Sequence, residues 1–117
     1  MQDFHDTPIW QRSRSFLSEI FLISNKFPGG PYERLLEQLR RSSIAIPANI
    51  ARAFSQPDSS DSNEFFNLSG SFIRNVSQYL LKAKNHQLID NHEFELINND
   101  LIDINRMLAS IQHHNMQ

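Results

Sequence analysis

The chain contains no cysteine. That excludes disulfides, thiolate catalysis and cysteine-based zinc sites. Glycine is almost as scarce, with three in 117 residues, which leaves no phosphate-cradling loop and no dinucleotide fingerprint. No serine lies in a Gly-x-Ser-x-Gly elbow. Long apolar runs are also missing: the longest, Ile20 to Ile23, has four residues. A membrane-spanning helix needs roughly 20, so the expectation is a chain that does not cross a bilayer. The N-terminal residues Met1-Gln2-Asp3-Phe4-His5-Asp6 include acids and no apolar block. They read as a chain without a secretory signal, hence a cytoplasmic protein. Asn67-Leu68-Ser69 and Asn75-Val76-Ser77 then read as helix residues rather than glycosylation acceptors.

What is present specifies helices. With 39% hydrophobic residues, the chain can build a modest core, and its length fits one domain over residues 1–117. The few glycines and prolines cluster at breaks between amphipathic stretches. Thr7 followed by Pro8 reads as an N-cap with proline at the first helical position. Ile9, Phe16, Ile20, Ile23 and Phe27 continue as one stripe at helical spacing, predicting a first helix over about 7–27. Pro28-Gly29-Gly30-Pro31 reverses the chain. A second helix is predicted over about 31–55 on Leu35, Leu39, Ile46, Ile50 and Phe54, kinked near the internal Pro47. Asp61 and Glu64 suggest a capping box for a third helix over about 61–86. Asp90 and Glu93 repeat that spacing for a fourth over about 90–112. The final His113-His114-Asn115-Met116-Gln117 should fray. Gly70 lies inside the third helix, where a close backbone crossing would be one physical reason to accept a glycine. Short connections make sequential neighbours antiparallel, so the predicted fold is all-α, an up-down-up-down four-helix bundle.

Catalytic constellations do not emerge. The five histidines (His5, His86, His92, His113 and His114) form neither His-Glu-x-x-His nor a di-iron Glu-x-x-His motif. Asp100 and Asp103 read as solvent-facing. No enzymatic activity, metal or cofactor is expected.

Arginine is the more informative residue. Eight of the eleven basic residues are arginine, the side chain suited to bidentate contact with phosphate or carboxylate. Residues 1–56 hold seven basic and five acidic residues, a balance of +2; residues 57–117 hold four and eight, a balance of −4. Arg34 and Arg41 share a helical face, Arg40 lies beside them, and Arg52 follows about three turns after Arg41. Arg12 and Arg14 leave the polar side of the first helix. These six are candidates for a nucleic-acid backbone surface; the alternative is ion pairing within or between subunits, as with Glu37. The broad apolar faces, edged by Trp10, Phe21, Phe66 and Phe72, point to self-association.

The segment Leu39-Arg40-Arg41-Ser42-Ser43-Ile44-Ala45-Ile46-Pro47-Ala48-Asn49-Ile50-Ala51, preceded by Gln38, resembles the signature of the "four helix bundle protein" family. Ile9-Trp10-Gln11, Phe27-Pro28 and Gly70-Ser71 support the likeness. That family is encoded in intervening sequences of bacterial large-subunit ribosomal RNA genes. The resemblance implies an antiparallel bundle assembled as a homopentamer, with Gln38, Ser42, Pro47, Asn49, Gly70 and Ser71 as fold-specifying positions. A related branch, the accessory variability proteins of diversity-generating retroelements, resembles a positively charged pentameric barrel that binds nucleic acid and a reverse transcriptase. The resemblance therefore implies RNA, DNA or a nucleic-acid enzyme as partner.

Two departures from the family pattern matter. Arg52 stands where the family commonly has glutamate, as does Arg74, three residues past Ser71. Together they shift local charge by about four units toward positive and add Arg74 to the candidate polyanion surface. The alternative is that both arginines pair with carboxylates elsewhere.

Overall fold

A computed structural model describes residues 3–115 of the chain. Four helices, α1 (Pro8–Ser24), α2 (Glu33–Phe54), α3 (Ser59–Asn85) and α4 (Asn91–Asn115), form the bundle, with short 3-10 turns at Phe4–Asp6 and Gly30–Tyr32. The arrangement is up-down-up-down. Each helix packs on its sequence neighbours, α1 also meets α4, and the α1/α3 and α2/α4 pairs are diagonal. No strand occurs among the described residues. The molecule measures 44 × 23 × 21 Å, a rod about as long as α3.

Local chemistry accounts for most helix ends. The Thr7 hydroxyl accepts from Trp10 N at 3.4 Å, and Pro8 occupies the first turn. α1 stops at Ser24, short of Phe27, because Asn25–Phe27 close as turns onto Phe21, Ile23 and Ser24 carbonyls. The second helix proper begins at Glu33, after the 3-10 turn. At α3 the cap is Asp58, which accepts from Ser60 N at 2.9 Å, rather than Asp61; α3 therefore opens at Ser59. The capping box before α4 is reciprocal: Asp90 N donates to Glu93 Oε1 (3.1 Å) and Glu93 N to Asp90 Oδ1 (2.8 Å). α4 continues through His113 and His114 to Asn115, so this part of the tail is helical rather than frayed. Met116 and Gln117 lie outside the described residues. Between α3 and α4, Gln87 takes φ 61°, and Leu88 N reaches Ala83 O at 2.9 Å, a left-handed helix stop.

The core is aliphatic with two central rings, Phe16 and Phe66. Phe66 meets Phe54 edge-on at 5.4 Å. The aromatics expected to favour self-association are thus largely absorbed by the fold. Phe66 is buried, Phe21 and Phe72 are half-buried, and Trp10 packs against Phe4 and His5. The large apolar side chains left exposed are aliphatic instead: Leu22, Ile44, Leu68, Leu81, Leu96 and Ile102 among the described residues.

α2 runs unbroken through Pro47. Pro47 lacks the N–H that would reach Ser43 O. Asn49 does not fill that gap; its Nδ2 donates to Ala45 O at 2.8 Å. The seam with α3 is fastened by Ser69 Oγ to Ile46 O (3.1 Å) and Ser62 Oγ to Ala53 O (2.7 Å). Gly70 shows no backbone crossing: a Cβ there would lie 3.5 Å from Leu108 Cδ2, ordinary contact.

Candidate nucleic-acid interface

α2 buries Leu39, Ile46, Ile50 and Ala53 and turns its opposite edge to solvent. Arg34, Arg41 and Arg52 lie on that edge, all exposed. Separations of seven and eleven residues are near-whole numbers of turns at about 3.6 residues each, so the three guanidinium groups form one line. Arg41 Nη2 pairs with Glu37 Oε1 one turn earlier. No ion pair links Arg34 or Arg52 to a carboxylate among the described residues. Ile44 and Ala48 are exposed between the arginines, so the edge is cationic with an aliphatic floor.

The other four predicted arginines separate from this line. Arg14 is exposed on α1 with its guanidinium 5.6 Å from the Trp10 ring centre. Arg12 reaches across to α4, with Nη2 3.2 Å from Asp103 and 3.5 Å from Asp100. Arg40 clamps α2 to the end of α1. Its Nε donates to Ser24 Oγ (2.8 Å), its Nη2 to Asn25 Oδ1 (2.6 Å), and its plane lies 4.8 Å from the Phe21 ring centre. Arg74, on α3, donates to Ser71 Oγ at 3.1 Å and lines the groove between α3 and α4. There it shares the lining with Arg106, which carried no motif signal in the sequence and pairs with Asp103 one turn earlier at 3.9 Å. Only the antiparallel pairing of α3 and α4 brings the two arginines together.

Four of the six fold-motif residues face inward. Ser42, Pro47, Asn49 and Gly70 are buried, Gln38 is half-buried, and Ser71 is exposed with its hydroxyl on Asn67 O at 3.3 Å. Ser43 Oγ and Asn49 Oδ1 are buried without a hydrogen-bond partner in the chain.

On the α1/α4 side, burial and the neighbouring Asp100 carboxylate push the Glu19 carboxyl above its ordinary value, with Arg12 opposing. A cavity of about 560 Å³ at the start of α1 is lined by Ile9, Phe54, Met107 and Ile111, with Arg106 at its margin. No group of three or more His, Asp or Glu side chains among the described residues is placed to hold a metal ion. No helix among them is long and apolar enough to cross a membrane.

A protein of unknown function from the S23 ribosomal protein family of Bacteroides thetaiotaomicron has the same fold. Its crystal structure superposes with a TM-score of 0.80 at 24% identity, covering 89% of this chain and 97% of that one. No curated protein matches the chain. The family described as 23S rRNA-intervening sequence protein matches residues 5–110. With nearly the whole bundle inside that match, this helical chain belongs to the 23S rRNA-intervening sequence protein family.

Proposed function

We propose that the chain acts in the cytoplasm as a homo-oligomeric helical-bundle adaptor, pentameric as the family resemblance implies. It contacts RNA, DNA or a nucleic-acid enzyme such as a reverse transcriptase through the arginine edge of α2. The observation that carries this reading is the line of Arg34, Arg41 and Arg52, two of which make no ion pair with a carboxylate among the described residues. Repetition of that line by assembly compensates for a monomer charge of only −2. Arg12 and Arg40 hold the fold together, so they contribute to the surface only through structure.

Binding of labelled RNA and DNA, followed by anisotropy across a salt series, tests the proposal. The assembled protein should bind at low salt. Changing Arg34, Arg41 and Arg52 together to glutamate should weaken binding at least about tenfold and flatten the salt slope by about two to three. An assembled protein that binds neither polymer at low salt overturns it. Light scattering should give a particle several times 13.6 kDa; a particle of the monomer's mass overturns the assembly. The alternative is an interaction scaffold without nucleic-acid affinity, favoured by the exposed aliphatic side chains on every helix.

A further inference from the structure

Three of the six exposed large aliphatic residues line the two grooves beside α4. Leu22 (70% exposed) and Leu96 (56%) stand over the α1/α4 groove. Ile102, 41% exposed, lines the α3/α4 groove. The two grooves are similar in volume, about 330 and 360 Å³. Their charges are opposite. The first is lined by Glu19, Glu93 and Asp100 and by no cation; the second by Arg74 and Arg106 and by no carboxylate. Lys26 and Arg12 pair with Glu93 and Asp100, but neither lines the acidic groove itself, and Glu19 has no ion-pair partner there.

We propose that these grooves dock on each other between successive copies of this chain, acidic face on basic face, with the leucine and isoleucine side chains packed between them. The proposal rests on the oligomeric reading above and adds which faces meet. Leu96 and Ile102 stand about 120° apart around α4, at about 100° per residue. A head-to-tail contact between faces at about 90–120° closes into a ring of roughly four to six copies. Such a ring turns α4 toward its axis. α2, diagonal to α4, then faces outward and carries Arg34, Arg41 and Arg52 around the rim. The fit gives each groove an aliphatic cover and brings counter-charge to Glu19 and Arg74, which make no ion pair of their own among the described residues; Arg106 already pairs with Asp103 at 3.9 Å.

The test is particle mass by sedimentation at micromolar concentration for the wild type, Glu19→Lys, Arg74→Glu and the chain carrying both changes. Circular dichroism checks that each variant is folded. Each single reversal should weaken assembly at least tenfold, and the double reversal should recover most of that loss, because both faces then change sign together. If the wild type assembles and both single variants assemble equally well, the face assignment is overturned while the oligomer stands. Single losses without recovery in the double variant also overturn the pairing. A monomeric wild type removes the oligomeric reading itself, and this proposal with it.

Discussion

At the residue scale, two positions sit in environments that their side chains do not improve. Gly70 lies inside α3 with ordinary space around its missing Cβ. Glycine in a helix interior costs about 0.5–1 kcal/mol relative to alanine. Gly70→Ala should therefore stabilise the protein by up to that amount in urea denaturation, and a loss of stability would mean that Leu108 cannot yield. Glu19 is the second. Its folded carboxyl holds a proton more readily than the ordinary value of 4.5, chiefly through burial and then through Asp100. Its contribution is thus fully present below that value and lost as pH rises through the raised one. Glu19→Gln should gain melting temperature relative to wild type as pH rises above the ordinary carboxylate value, and parallel curves would contradict the assignment.

At the element scale, periodicity and caps were legible in the residues because they depend on neighbours within one turn. Thr7-Pro8 and Asp90/Glu93 perform the predicted capping, and the stripes of α1 and α2 become the core or pack against it, whereas α3 buries Phe66 and Ile73 and leaves Leu68 exposed. What could not be read depends on partners distant in sequence. Arg12 resembles any solvated arginine until Asp103, 91 residues away, is folded beside it. Arg40 looks equivalent to Arg41, yet one fastens α1 to α2 and the other rests on its own helix. Asp58 and Asp61 both offer a cap, and only the path of the linker selects Asp58. The distinction is testable: Arg40→Ala should lower unfolding stability by about 2 kcal/mol through loss of charge-donated hydrogen bonds. Arg41→Ala should change it by less than about 0.5 kcal/mol, the value of an exposed helical pair. Equal effects would refute the clamp.

For the whole molecule, the bundle's seams are unequal in kind. α2 and α3 are joined through apolar packing and buried serine-to-carbonyl bonds. α1 and α4 are also bridged near their edge by Arg12 to Asp100 and Asp103, and by Lys26 to Glu93. Exposed ion pairs weaken as the Debye length shrinks to about 3 Å in molar salt, whereas apolar packing does not. Amide hydrogens along the first and last helices should therefore exchange with deuterium faster when sodium chloride is raised, while those of the central hairpin keep their rate. The chain would then breathe like a book whose spine is the α2/α3 hairpin and whose covers are its terminal helices, with ionic strength setting how often they part.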